Sequence, residues 1–290
     1  MLFAIVGLLV VAGEILAGPN STTGCNCGFG YELLEHRLEQ MELKKQKEFE
    51  VQSDLLESMV KGLTALTRQT SQMLNRQINH QKRIIESCED VTTSGRYRLQ
   101  LPNQPTPITV ICEMEPLDGG WLVIQRRSPG SINFNRSWTE YREGFGNAGQ
   151  FGEFWLGLET IHQLTKAGDQ ELLVQLKNET GHYEYGRYKR FQVAGADQKY
   201  RLSPLVEFSG AIGEKLNISR DEAFSTYDKD NDQWTDGNCA QKYGGGWWFY
   251  KCGYTSLNGP YKKDNNTGRG IFWDGWTDAA TYSRMLIRRR

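Results

Sequence analysis

From residue 31 to residue 87, apolar side chains recur at steps of three and four among charged and amide residues: Leu34, Leu38 and Met41, then Leu56, Met59, Leu63, Leu66, Met73 and Ile84. The stretch contains no proline and one glycine, Gly62. This spacing predicts a long helix with a single apolar seam. A helix this polar buries too little to be stable alone, so the seam is expected to pair with other helices as a coiled coil. The phase slips near residues 55–59, and Thr70, Gln77 and His80 fall on the seam. These defects leave the number of strands open, with a solvated single helix as the competing reading.

Past Cys88 the periodicity changes to short β-branched or aromatic runs broken by glycine and other turn residues. Thr109-Val110-Ile111-Cys112, Trp121-Leu122-Val123-Ile124-Gln125 and Glu171-Leu172-Leu173-Val174-Gln175-Leu176 read as strands, and residues 159–166 as a short helix. The predicted class is α+β, with a chain long enough for one well-buried domain.

The first eighteen residues hold an apolar run interrupted by Glu14 and ending in Ala17-Gly18-Pro19. That run has the length of a secretory signal core and is too short to span a bilayer, so cleavage near Ala17 or Gly18 and an extracellular location are expected. No other stretch is apolar enough to span. Six cysteines in an exported chain read as disulfides rather than metal ligands. Sequence does not settle their pairing; proximity suggests Cys88 with Cys112 and Cys239 with Cys252. That leaves Cys25 and Cys27, which flank only Asn26 and suit bridges between chains of a homo-oligomer. Sequons begin at Asn20, Asn135, Asn178, Asn217 and Asn265, in keeping with secretion. The expected organisation is a signal peptide (1–18), a cysteine-containing segment (19–30), a coiled coil (31–87) and a globular domain (88–290).

Net charge is −1, from 34 basic and 35 acidic side chains. No global field draws the chain to nucleic acid or anionic membrane, and Arg288-Arg289-Arg290 reads as a solvated tail.

The densest candidate chemistry lies between residues 224 and 259. Asp228-Lys229-Asp230-Asn231-Asp232 sets three carboxylates at alternate positions of a loop, a pattern suited to Ca²⁺ and its six to eight oxygen ligands. It is not an EF-hand, because Gln233 and Cys239 occupy the sixth and twelfth positions, where that loop needs Gly and Glu. Cys239, Tyr243, Gly244-Gly245-Gly246, Trp247-Trp248 and Cys252 follow, so the acidic loop abuts a small cysteine loop rich in aromatics. No nucleophile elbow, zinc helix or phosphate-cradling loop occurs, and the chain reads as a binding protein rather than an enzyme. The glycine triplet is expected to make a tight turn that seats aromatics. Trp121, Trp155 and Trp248 are assigned to the core, Trp234 and Trp276 to the surface.

The C-terminal part is identified as a member of the fibrinogen C-terminal domain family on residues that occur in family order. They are Gly119-Gly120-Trp121-Leu122-Val123-Ile124-Gln125-Arg126-Arg127, Gly144-Phe145-Gly146, Gly152-Glu153-Phe154-Trp155-Leu156-Gly157, Phe224-Ser225-Thr226, Asn238-Cys239-Ala240, Trp247-Trp248, Leu257-Asn258-Gly259 and Gly270-Ile271-Phe272-Trp273. The resemblance implies a fibrinogen C-terminal globular domain preceded by a coiled-coil stalk. It also implies Ca²⁺ held by the carboxylates of Asp230 and Asp232 and by backbone carbonyls near Trp234 and Asp236, with Asp228 outside the inner sphere. In lectin members such as ficolins and tachylectins, an acetyl pocket lies beside the ion, over the second cysteine pair and a strained peptide bond that maps to Lys251-Cys252. The implied ligand set here is Tyr243, Lys251, Cys252, Gly253 and Trp276. Gly253 stands where those lectins commonly carry His, as in the angiopoietin-like branch, and the pocket aromatics near Thr267 and Ala279-Ala280 are missing. The implied function is a secreted, oligomeric recognition protein for glycans or acetylated groups on microbes or cells, in innate immunity, as in invertebrate fibrinogen-related proteins. The alternative is an angiopoietin-like ligand of a cell-surface receptor.

Overall fold

The computed structural model describes residues 28–82, 84–102, 104–128, 130–149, 152–261, 270–275 and 280–290. The chain divides into two units between residues 72 and 73. Helix α1 (Gly28–Lys82) has 55 residues, which at about 1.5 Å rise per residue is about 80 Å. It runs unbroken through residues 55–59, where the apolar phase was expected to slip. A Lys61–Glu57 ion pair and a Gln46–Glu50 hydrogen bond, each four residues apart, lace its surface. Its apolar positions, Leu34, Leu56 and Leu63 among them, are exposed.

The globe is built on a sheet of β1 (Ile84–Ile85), β2 (Gly95–Leu99), β3 (Ile108–Glu113), β4 (Trp121–Arg127), β5 (Phe145–Gly146), β6 (Phe154–Trp155), β7 (Gln170–Asn178), β8 (Tyr183–Phe191), β9 (Val206–Gly210) and, last in the chain, β12 (Ala280–Arg289). The order is β1-β2-β3-β4-β12-β7-β8-β9, with β6 also on β4 and β5 on β6. Helices α2 (Trp138–Glu143) and α3 (Leu158–Lys166) separate the early strands, and α4 (Cys239–Tyr243) and the β10 (Thr255–Ser256)–β11 (Phe272–Trp273) pair belong to the irregular C-terminal part.

Both faces of the central strands are covered, which is why all of β4 is buried. Alternation sends Leu122, Leu172, Val174, Met285 and Ile287 into the main core and Trp121, Val123, Leu173 and Leu286 into a smaller cluster on the other face. A register shift pairs Met285 with Gln125 but Leu286 with Val123, leaving Ile124 as the extra residue of a bulge. The bulge turns Gln125 and Arg127 toward the loops carrying Leu257-Asn258-Gly259. Arg127 Nε lies 3.3 Å from Glu153 Oε1 with both side chains buried, and Arg127 Nη1 donates to the Leu257 and Gly259 carbonyls. Glu153 accepts the Ser128 and Ile132 N–H groups, and Gln125 Nε2 donates to the Leu257 carbonyl at 3.0 Å. A Cβ on Gly245 would sit 2.0 Å from the Asn258 carbonyl oxygen, so the glycine triplet allows two backbones to touch while Trp247 and Trp248 enter the core.

Beyond β3, β4 and β7 the strands escape the sequence reading, and β8 and β12 are the longest of those missed. β8 alternates aromatic with charged residues, and β12 ends in arginines. The expected solvated tail at Arg288 is corrected by this: the strand continues to Arg289, and the Arg288 guanidinium donates to the Leu117 and Gly119 carbonyls, each at 2.8 Å, pairs with Glu171 at 3.1 Å and lies 4.5 Å from the Trp121 ring centroid. Among the described residues no helix is long and apolar enough to cross a membrane.

Candidate functional site

The acidic loop is fixed at both ends. Ser225 and Trp247 exchange backbone hydrogen bonds of 2.9 and 3.1 Å, and Thr226 and Lys229 close a turn with a second reciprocal pair. Asp228 Oδ1 accepts the Trp138 N–H at 2.9 Å and the Thr226 hydroxyl at 2.7 Å, so its carboxylate joins the loop to the start of α2. Lys229 lies over the Trp138 ring, 4.1 Å from its centroid. Asn231 donates to the Ser225 hydroxyl and the Phe224 carbonyl, while the other two carboxylates of the turn, Asp230 and Asp232, accept backbone N–H groups.

Asp230 Oδ1 accepts the Asp232 N–H at 3.1 Å, Asp232 Oδ1 accepts the Trp234 N–H at 2.9 Å and Asp232 Oδ2 accepts the Cys239 N–H at 2.8 Å. Burial pushes the Asp232 carboxyl up to about 6; the two backbone donors oppose this, and the adjacent Asp230 charge reinforces it. Two neighbouring carboxylates, one half-buried and reluctant to ionise, form a donor set that fits a hard cation. Among the described residues no three His, Cys, Asp or Glu side chains converge on a metal position. Backbone oxygens and water must therefore complete any calcium shell. The Trp234 carbonyl meets only a long 3.4 Å contact from Gly237 N and keeps acceptor capacity, while Asp236 is exposed.

Cys239 opens α4, capped by Asn238 Oδ1 on the Gln241 N–H at 2.9 Å. Disulfides join Cys239 to Cys252 and Cys88 to Cys112. Tyr243 ends α4 half-buried, stacked on Phe249 with centroids 5.9 Å apart and tilted on Phe272 at 5.1 Å. The Lys242 ammonium lies 5.3 Å from the Trp234 ring centroid and 5.5 Å from that of Tyr243. Gly237 is demanded by Trp234, because a Cβ there would meet its ring at 2.6 Å.

The strained bond expected at Lys251-Cys252 is corrected. Among the described residues the cis peptide bond is Ser203-Pro204; the chain reverses instead by positive φ at two successive residues, Cys252 (71°) and Gly253 (62°). Lys251 is exposed, Cys252 buried, and a Cβ on Gly253 would make an ordinary van der Waals contact, the nearest atom being Ile218 Cγ2 at 3.8 Å. The Gln233 N–H donates to the Tyr250 carbonyl at 2.8 Å, so the acidic loop and the segment before Cys252 are joined by backbone as well as by sulfur. Acidic loop, Tyr243 and Gly253 thus belong to one surface. Exposed Tyr250 and Tyr254 flank it, a feature the sequence reading missed; its one signal was their placement on either side of Cys252. Trp276, Cys25, Cys27, Asn20 and Asn265 lie outside the described residues.

Of the described sequons, Asn135 and Asn217 are exposed. Asn178 is corrected: it is 3% exposed, and its Oδ1 accepts the His182 N–H and the Thr180 hydroxyl, both at 2.8 Å, so no glycan fits without unmaking that turn.

The family described as "Fibrinogen beta and gamma chains, C-terminal globular domain" matches residues 84–288. The chain belongs to the fibrinogen C-terminal domain family. Fibrinogen-like protein A of Apostichopus parvimensis is 41% identical over 214 residues, 71% of this chain and 74% of that protein. Human angiopoietin-4 is 38% identical over 219 residues; the match covers 71% of this chain but only 43% of that protein. Among solved structures, the fibrinogen-like globe domain of human ANGPTL6 is 36% identical with a TM-score of 0.65, covering 71% of this chain and 95% of that one. Lamprey fibrin D-dimer, solved with the peptide ligand Gly-His-Arg-Pro amide, is 28% identical with a TM-score of 0.66, covering 90% of this chain and 94% of that one. Fibrinogen-like domains are binding modules, found in lectin-like and angiopoietin-like proteins.

Proposed function

We propose that this chain is a secreted, oligomeric and non-enzymatic recognition protein whose fibrinogen-like globe binds glycans or other acetylated surface groups of microbes or cells, in innate immunity. The observation that carries the reading is the link from Asp232 through Cys239 to the disulfide. It makes the acidic loop and the surface around Tyr243, Lys251, Cys252 and Gly253 one mechanical unit. Ca²⁺ held by Asp230 and Asp232, with backbone oxygens at Trp234 and Asp236, would supply positive charge that offsets the carboxylate repulsion and orders that unit. The ligand itself would meet Tyr243 and the backbone around Gly253, with Trp276 as a further contact: an aromatic face packs on a sugar or an acetyl methyl, and backbone N–H groups hold a carbonyl oxygen. Several weak sites on one stalk raise avidity by roughly 10² to 10⁴.

A second reading, a ligand of a cell-surface receptor, is favoured by Gly253 and by the 38% identity to human angiopoietin-4. Capture of the intact oligomer on N-acetylated resin, on bacterial surfaces and on a glycan array separates the two. Retention that chelator and Tyr243→Ala both weaken supports the lectin; no retention, or retention indifferent to both, transfers the reading to the receptor ligand.

A further inference from the structure

We propose that an N-glycan on Asn217 forms one rim of the surface around Gly253 and screens that surface against bulky partners. This rests on the reading above that the globe is secreted and meets its ligand there, and it adds what sets the width of the entrance. Asn217-Ile218-Ser219 is a sequon. It lies in a short 3-10 turn, Leu216–Ser219, whose end residues Leu216 and Ser219 are buried while Asn217 is exposed. The Arg220 N–H closes the turn on the Asn217 carbonyl at 3.1 Å. Asn178 spends its amide oxygen on two donors; the Asn217 side-chain amide makes no hydrogen bond with a described residue, so a sugar attaches there without unmaking the turn. Transfer joins Asn217 Nδ2 to C1 of the first N-acetylglucosamine of a lipid-linked oligosaccharide. The lipid pyrophosphate leaves with the electron pair of the broken bond, and the amide proton passes to a base of the transferase.

The residues on either side of Asn217 touch the candidate ligand surface. Ile218 Cγ2 lies 3.8 Å from where a Cβ of Gly253 would stand. Lys215 Nζ lies 3.5 Å from Asp274 Oδ2 and 6.0 Å from the Tyr254 ring centroid. The Trp273 indole N–H donates to the Gly213 carbonyl at 3.0 Å. Residues 213–218 are thus laid along segments 252–254 and 273–274.

Three residues make one turn of a 3-10 helix, so Lys215 and Ile218 share the side that meets those segments, and Asn217 stands on the adjoining side. The glycan therefore rises beside Gly253 and Tyr254 rather than from within the site. An N-glycan is bulky and stays in solvent. A slender terminal sugar or acetyl group passes it, whereas a folded protein laid flat on Gly253 collides with it. That geometry favours small terminal groups over a flat protein interface. Asn135 serves as the control sequon, because its neighbours Phe134 and Arg136 pack on Phe145.

The test compares the full chain secreted from eukaryotic cells as wild type, as Asn217→Gln, as Asn135→Gln, and as wild type stripped of N-glycans enzymatically under native conditions. Mass spectrometry reads occupancy, and a polymer-sized amine reagent followed by peptide mapping reads the screen. Lys215 and Lys251 are expected to react severalfold faster in Asn217→Gln and in the stripped protein, with exposed Lys177 unchanged and Asn135→Gln matching wild type. The same two forms are expected to capture N-acetylated albumin severalfold better. A bare Asn217 in the secreted protein, or equal reaction of Lys215 and Lys251 with and without the glycan, overturns this proposal and leaves the recognition reading standing. A screen on both lysines with no capture of N-acetylated albumin by any form upholds the proposal and overturns the acetyl-recognition reading.

Discussion

Asp232 Oδ2 accepts the backbone N–H of Cys239 at 2.8 Å across seven positions of the chain. One carboxylate therefore terminates the acidic turn and braces the first residue of the helix whose disulfide holds Cys252. Asp232→Ala is expected to abolish the rise in Tm that calcium gives the intact protein, for a site with a Kd on the order of 10⁻⁴ to 10⁻³ M, as in extracellular calcium modules. Differential scanning calorimetry with and without chelator checks this; an unchanged calcium increment in the variant places any ion elsewhere.

The same carboxyl predicts a pH dependence. Its folded value, about 6, lies above the ordinary 3.8, so its contribution to stability is complete below about 4 and is lost as pH rises through about 6. In chelator, the wild-type chain should lose stability relative to Asp232→Asn as pH climbs from 4 to 7. Millimolar calcium should reverse that ordering at neutral pH, because the metal favours the ionised form. Melting curves of both proteins across the range, with and without the metal, are the measurement.

Arg127 and Glu153 form a buried pair beneath the Leu257-Asn258-Gly259 turn. Arg127→Met strands the Glu153 charge and should cost roughly 3–5 kcal/mol, while adding Glu153→Leu should recover part of the loss. Urea denaturation monitored by tryptophan fluorescence reports both values. Equal stability of the single and double variants would show that the cost lies in lost packing.

Peptide mapping of protein secreted from eukaryotic cells should find glycan at Asn135 and Asn217 and bare Asn178. A fully occupied Asn178 would contradict the buried turn in which its amide oxygen serves two donors.

What was legible in the sequence follows from how local the physics is. The 3.6-residue rhythm of α1, the apolar runs of β3, β4 and β7 and the two short-range disulfides needed only neighbouring residues. β8 did not, because Glu184, Arg187 and Lys189 interrupt its aromatics and only its place between β7 and β9 makes it a strand. Arg288 looked solvated because the carbonyls that hold it belong to residues 117 and 119. At the candidate site, the three alternating aspartates were visible and the family resemblance already set Asp228 apart from Asp230 and Asp232; the physical reason was not, because Asp228 is committed to Trp138, ninety positions away. Phe249 and Phe272, which orient Tyr243, likewise act through contacts that no local pattern encodes.

Strand β12, the last element, lies between β4 and β7. During synthesis those two strands emerge early, yet each keeps an open row of backbone donors and acceptors until residues 280–289 leave the ribosome. The nascent globe is thus a sheet with its central slat missing, and any free strand of suitable pattern can occupy the slot. The two disulfides close loops of only 24 and 13 residues and use no residue of β12, so both can form before the gap is filled. Assembly of this domain accordingly waits for the ten-residue strand β12, which converts two preformed flanks into one cooperative body.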